Sequence, residues 1–213
     1  MLPMREVKEH TRRRVVATMR HAVTADLDPL IEVLVSAFDQ DPFFRWMFPG
    51  SDFVAGLEEW FHLVVPIAFT KGHTYLDTDG RAVAVWLPPD VELARPEDYQ
   101  AAAAIVARHS TPDHAAEVFQ AIGAAGGHRP DSPNWQLMYV GVAPSAQGRG
   151  EGQQALAGTL AICDAQGFPA YLHSTNPRNV SFYERLGFRV LAEVPTVEGG
   201  PVIRPMWREA RSG

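Results

Sequence analysis

The chain has 213 residues, of which 46% are hydrophobic and 21% charged, the balance of one globular domain with room for an insertion. A net charge of −6 argues against binding nucleic acid by phosphate neutralisation and tolerates a cationic small substrate better than an anionic one. A single cysteine, Cys163, and a charged N-terminus with no apolar leader predict a cytoplasmic protein. No run approaches the ~18 apolar residues of a membrane span, so no membrane partner is expected.

Residues 1–14 are charged and aperiodic and read as a disordered or extended tail, leaving 15–213 as a single domain. Val15 to Val23 alternates as a first strand. Thr24, Asp26, Asp28 and Pro29 then open a helix in which Leu30, Ile31, Leu34, Val35 and Phe38 recur at helical spacing. Asp39 to Gly50 is bracketed by the turn signals Asp41-Pro42 and Phe48-Pro49-Gly50. Its aromatics Phe43, Phe44 and Trp46 form either core packing between helices or one wall of a substrate pocket. Phe53 to Thr70 is a second helix, with Pro66 as a possible kink and with Glu58, Glu59 and His62 on its polar side.

His73–Leu76 and Ala82–Leu87 flank Asp79-Gly80, a hairpin signal. Two alanine-rich helices follow, Pro96–His109 and Pro112–Ala124, and read as an insertion before the fourth strand. The apolar run Leu137 to Val142 ends at Ala143-Pro144-Ser145, and Gln147-Gly148-Arg149-Gly150-Glu151-Gly152 opens a helix to Gln166. A strand that ends in glycines at a helix N-terminus is an anion site. The first helical N–H groups lack chain partners, and glycine lets a pyrophosphate approach the backbone. Phe168–Ser174 is a strand, Arg178–Leu186 a short helix, and Phe188–Val194 and Pro201–Trp207 are the last strands. This order predicts an α/β fold with a mixed sheet of about seven strands flanked by helices.

A right-handed crossover places strand 168–174 beside Tyr139–Val142, so two helix N-termini open at the same sheet edge. Asn179 and Tyr183, four residues apart, lie on one face of the second helix. Tyr183 is either a half-buried helix residue with its hydroxyl in water or a proton donor. A phenol with a pKa of about 10 suits a thiolate leaving group of about 8.5. No Lys-Ser/Thr follows the glycines, which argues against a nucleotide-dependent kinase.

Gln147-x-x-Gly150-x-Gly152 resembles the Q/R-x-x-G-x-G/A signature of the GNAT (Gcn5-related) N-acetyltransferases. The preceding V-G-V-A-P and the later N-x-x-x-Y-E-R-x-G-F, from Asn179 to Phe188, stand in that family's places. Within the superfamily, Ala82–Trp86 and Pro177–Phe188 are similar to the puromycin N-acetyltransferase group of antibiotic-resistance enzymes. The resemblance implies a GNAT fold with a mostly antiparallel sheet, acetyl-CoA as cosubstrate and direct acetyl transfer to a small primary amine (a drug, amino-nucleoside or metabolite) by a monomer or homodimer. Tyr139, Val140, Gly141 and Val142 would hold the pantetheine arm, and a backbone N–H such as that of Val140 the oxyanion. The backbone of Gln147, Gly148, Arg149, Gly150, Glu151 and Gly152 would hold the pyrophosphate. Asn179 and Phe182 would contact the cofactor, and Tyr183 would be the general acid. No metal is implied.

The puromycin group usually carries glutamate where this chain has His173. The histidine could act as a base through water, contact the acceptor, or only pack. Acetylation of protein lysines or N-termini, and a non-catalytic CoA-binding module, are the alternative readings.

Overall fold

The computed structural model describes residues 18–211. The tail expected over residues 1–14, and the start of the strand expected from Val15, lie outside them. The elements in order are β1 (Met19–His21), α1 (Leu27–Phe38), α2 (Pro42–Met47), α3 (Phe53–Lys71), β2 (His73–Asp77), β3 (Ala82–Leu87), α4 (Pro96–Arg108), α5 (Pro112–Gly126), β4 (Trp135–Val142), α6 (Glu151–Gln166), β5 (Ala170–Ser174), α7 (Val180–Arg185), β6 (Arg189–Val190), β7 (Val194–Pro195) and β8 (Val202–Arg208). The architecture is α/β, with a strand order of β1-β2-β3-β4-β5-β8-β6 and with β7 also paired to β8. All pairings are antiparallel except β4 with β5, which run parallel as the crossover through α6 requires.

The sheet is covered on both faces. On one face Leu30 and Leu34 of α1, Phe61 and Val65 of α3, Val106 of α4 and Val118 of α5 enclose a core with Val83 and Val85. On the other, Leu156, Leu160 and Cys163 of α6 and Tyr183 of α7 pack on Ala84, Trp86, Leu137 and Leu172. This double cover explains why every residue of β3 is buried. The α3 helix is long and apolar enough, by length and composition, to cross a membrane, although Glu58, Glu59 and His62 interrupt its apolar residues. Here its Leu57, Trp60, Phe61, Val64, Val65 and Ala68 are buried in the first core.

The strand expected over Phe188–Val194 is divided. Arg189 and Val190 pair with Trp207 and Met206, but Val194 and Pro195 resume on Ile203 and Val202 one residue out of register. Pro205 lies at the break. It accepts from Leu191 N–H at 2.8 Å and has no N–H to return. The helix expected over 178–186 is shorter too. Pro177–Asn179 form a 3-10 turn, so Asn179 stands at the N-cap position of α7, with no capping bond from its side chain, instead of within the helix.

In β4 the apolar alternation slips. Trp135, Leu137, Val140 and Val142 face α6 and α7, while Met138 and Tyr139, adjacent in sequence, both belong to the opposite face. The β3–β4 register shows why. Val85 pairs with Tyr139 and Trp86 with Leu137, leaving Met138 without a partner on β3. A residue so inserted is a β-bulge, which bends its strand and strengthens its twist. The β4–β5 pairs end at the same level, at Leu137↔Leu172. Beyond it β4 stays on β3 and β5 stays on β8 through Ser174↔Arg204, so the two strands fork.

The C-terminal strand is tied to α6 by Arg208, whose guanidinium donates to both Asp164 oxygens at 2.7 Å and to Leu186 O at 3.0 Å. Asp164 also accepts from Arg211 N–H at 2.8 Å. The hydrogen bond from Arg208 holds the Asp164 carboxyl below its ordinary range. A carboxyl depressed in the fold stabilises it above the unfolded pKa, and that contribution is lost as pH falls through the folded value. Asp164→Ala should cost about 1–3 kcal/mol in urea unfolding at neutral pH, because it leaves the 3%-exposed Arg208 without its anion. The gap from wild type should narrow as the pH is lowered below 4, the range in which a carboxylate is titrated.

Candidate active site

A cleft of about 1660 Å³ runs from the glycine turn, through the β4–β5 fork, to the helices of the first core. At one end Gly148 and Gly150 adopt φ of 74° and 86°, the left-handed region in which glycine alone is unstrained. The turn is fixed by Gln147, whose side chain donates to Val142 O at 3.0 Å, and by Ala143 N–H bonded to Arg81 O at 2.8 Å. The first intrahelical bond of α6 runs from Gln154 N–H to Gly150 O, so the N–H groups of Glu151, Gly152 and Gln153 precede it and face outward. Glu151 turns its carboxylate to Arg81, at 3.4 Å, beside its own helix N-terminus. A Cβ on Gly152 would stand 3.5 Å from Phe182 and 3.7 Å from Val142, so the start of α6 lies against α7 and the end of β4.

At the fork, Tyr139, Val140 and Val142 of β4, His173 of β5, Asn179, and Phe182 and Tyr183 of α7 line the cleft. Of the residues expected at the cofactor, Gly141 and Arg149 are not in the lining. Gly141 serves packing instead. A Cβ there would meet Leu34 at 3.0 Å and Ala37 at 3.2 Å, so its absence lets α1 lie against β4. Tyr139 accepts from Trp60 Nε1 at 3.1 Å, and burial pushes its phenol up to about 12. Tyr183 is buried, and burial together with the charge of Asp41 raises its hydroxyl above the ordinary tyrosine value. Its hydroxyl therefore stays protonated at neutral pH.

His173 faces the same space, with Nε2 2.7 Å from Tyr171 Oη. Burial lowers its pKa to about 4, with the nearby Arg129 adding to the effect. The imidazole is therefore neutral at physiological pH and cannot attract an ammonium by charge. Phe43 and Phe44 of α2 line the end of the cleft away from the glycine turn and are also core residues. Trp46 is outside the lining, with its ring on His114 at 4.8 Å.

The group not foreseen is Asp41. It caps α2, accepting from Phe43 N–H at 2.9 Å and Phe44 N–H at 3.2 Å, and its other oxygen accepts from Thr175 Oγ1 at 2.7 Å. It is only 5% exposed, yet it lines the cleft. Desolvation outweighs those three hydrogen bonds and raises its pKa. Asp before a helix-initiating Pro is a capping signal; the sequence carries it, but as a turn marker it gives no hint of burial.

Comparison with known proteins follows this geometry. The acetyltransferase (GNAT) family pattern matches residues 76–188, from within β2 to just before β6. Mycothiol acetyltransferase of Acidothermus cellulolyticus is 28% identical over 84% of this chain and 52% of its own length. An uncharacterised N-acetyltransferase of Schizosaccharomyces pombe is 40% identical over 27% of this chain and 24% of its own. The chain thus spans about half or less of the curated relatives it matches. Among solved structures, a histone acetyltransferase HPA2 and related acetyltransferase from Corynebacterium glutamicum superposes with a TM-score of 0.66 at 25% identity, over 92% of this chain and 98% of that one. Arylalkylamine N-acetyltransferase 2 of Aedes aegypti shares the fold, with a TM-score of 0.64 at 14% identity over 91% and 98%. With more than half its length matched and the glycine turn, parallel pair and fork in place, the chain belongs to the GNAT acetyltransferase family.

Proposed function

We propose that the chain transfers the acetyl group of acetyl-CoA to the primary amine of a small molecule, with Tyr183 as the general acid. The observation that carries this reading is that one cleft joins the glycine turn, the β4–β5 fork and the buried Tyr183 hydroxyl. The fit to acetyl-CoA follows from chemistry. The N–H groups at the start of α6 suit a pyrophosphate, the β4 edge released by the fork suits the amides of a pantetheine arm, and the fork itself suits the thioester.

The bound cosubstrate supplies an activated acetyl group, and the chain does the rest. Backbone N–H groups of Gly148 to Gly152 would hold the phosphates, with Asn179 and Phe182 along the arm. Val140 would donate its N–H to the carbonyl oxygen as that oxygen gains charge. Tyr183 would give its proton to the departing sulfur. Cys163 is fully buried in α6 and outside the lining, with its thiol pushed up to about 12, which speaks for direct transfer over an acyl-cysteine.

His173, neutral and bonded to Tyr171, fits a contact to the acceptor better than a base. The match of Pro177–Phe188 to the puromycin group extends over the donor side, which leaves puromycin itself without support as the acceptor. Helices α3, α4 and α5 roof the acceptor end, an arrangement that suits a small molecule better than a peptide. The names of structural neighbours acting on arylalkylamine and agmatine point the same way.

Acetyl-CoA at 100 times its Kd should raise the melting temperature by roughly 5–10 °C, since it binds only the folded state. Tyr183→Phe should keep that shift and lose roughly 100-fold or more in kcat. No shift, or wild-type turnover in the variant, would remove the donor site or the acid role respectively. A second prediction concerns His173. A group with a lowered folded pKa adds stability above its unfolded value near 6.5, and that stability drains as pH falls from there toward 4. The His173 ring should titrate by NMR near 4, and a midpoint at or above 6.5 would restore it as a candidate base.

A further inference from the structure

We propose that Arg129 holds a carboxylate of the acceptor, so that the acceptor is an amino acid whose amine and carboxylate are separated by an apolar spacer, an inference that rests on the N-acetyltransferase reading above. Arg129 lies in the connection between α5 and β4 and lines the cleft. Its backbone N–H donates to Gly126 O at 3.0 Å, and its guanidinium donates from Nη1 to Gln136 Oε1 at 3.1 Å. A guanidinium carries several N–H donors in a rigid fork. One bond to a neutral amide therefore fixes its direction and leaves donors over.

What this guanidinium lacks is an anion. The carboxylates that line the same cleft are Asp39, Asp41, Glu92, Asp98 and Glu151. Asp39 is paired with Arg45 at 2.7 Å, Asp98 with Arg95 at 3.2 Å and Glu151 with Arg81 at 3.4 Å, while Asp41 is held by its three hydrogen bonds. Among the described residues no salt bridge forms to Arg129. Tyr171 and His173 of β5 feel its charge, and burial keeps both of them uncharged. The other cations of the lining, Arg178 and Arg185, stand in the turn before α7 and in α7 itself, on the opposite face of the sheet from α5. A carboxylate offers two oxygens to the Arg129 fork and a single charge, which one guanidinium balances; a phosphate would bring close to two.

The position sets the shape of the acceptor. Gln136 pairs with Tyr171, and the next pair, Leu137↔Leu172, is the last before β4 and β5 part. The anion would thus be held on the closed side of the fork, and the thioester on the open side beside Val140. From Gln136 to Val140 the strand rises roughly 10–13 Å. Side chains take up part of that span, and a spacer of several methylenes would take up the rest. Leu63, Val64 and Ile67 of α3 and Phe119 and Ile122 of α5 line the cleft as an apolar wall that suits such a spacer.

The test follows thiol release from acetyl-CoA by the full chain with three amines. These are 6-aminohexanoate, hexylamine, which lacks the carboxylate, and norleucine, the isomer that carries both groups on one carbon. The expected kcat/KM for 6-aminohexanoate is roughly 10–100-fold above that of either other amine. Arg129→Gln should lower kcat/KM for 6-aminohexanoate by roughly 10–100-fold, chiefly through KM. It should leave hexylamine turnover and the acetyl-CoA melting shift as in wild type, which also shows that the variant folds. Equal use of hexylamine or of norleucine, turnover of none of the three, or a variant that loses nothing or loses both amines alike would overturn the proposal. A preference for 6-aminohexyl phosphate over 6-aminohexanoate would contradict the carboxylate assignment. An absent melting shift in the wild type would fail the donor reading itself, an outcome separate from these.

Discussion

One extra residue in β4 governs the geometry of this protein. Met138 has no partner on β3, so β4 must bend where it stands, and at that level β4 and β5 stop pairing. A parallel pair that continued to Val142 and Ser174 would satisfy its own backbone groups and close the sheet. The bulge instead frees one backbone edge of Met138–Val142 to the cleft, where its peptide groups are open to water or to a ligand. The strands separate without the sheet falling apart because each keeps another neighbour: β4 holds β3 and β5 holds β8.

The fork also divides the labour of the cleft. Past the bulge, Val140 and Val142 face α6 and α7, the side of the glycine turn, Phe182 and Tyr183. Met138 and Tyr139 face the helices that carry the apolar wall. One strand therefore turns one face to the glycine turn and α7 and the other to the apolar wall, and both faces meet the cleft at the fork. Asp41 lines the cleft from the start of α2 and Tyr183 from α7.

Local signals carried much of this. The glycine turn ahead of α6, the parallel neighbour of β4, the Asp79-Gly80 hairpin and the helical insertion all follow from spacing and turn chemistry. What local patterns do not contain is which side of a residue the rest of the chain covers. Gly141 sits in the motif stretch, but its missing Cβ makes room for α1, which comes from far upstream. Trp46 belongs to the same aromatic segment as Phe43 and Phe44, yet the short helix α2 turns it onto His114 instead of into the cleft. Asp41 is written as a turn residue, and only its contact with Thr175, far along the chain, identifies it as a buried group at the site. The bulge did leave a trace: the apolar positions Leu137 and Val140 are three apart where a regular strand would have two or four. The puromycin-like motif, similarly, covers α7 and the donor side, and so carries no information about the helices that shape the acceptor.

The central claim is that the edge freed by the bulge, together with the glycine turn, binds acetyl-CoA. Amide hydrogen exchange, compared with and without coenzyme A, tests it most directly. The account predicts new protection confined to 138–142, 148–153 and the start of α7, with β1, β2 and the far strand β6 unchanged. Protection centred on those distant strands, or unchanged exchange at 138–142 under saturating coenzyme A, would contradict it.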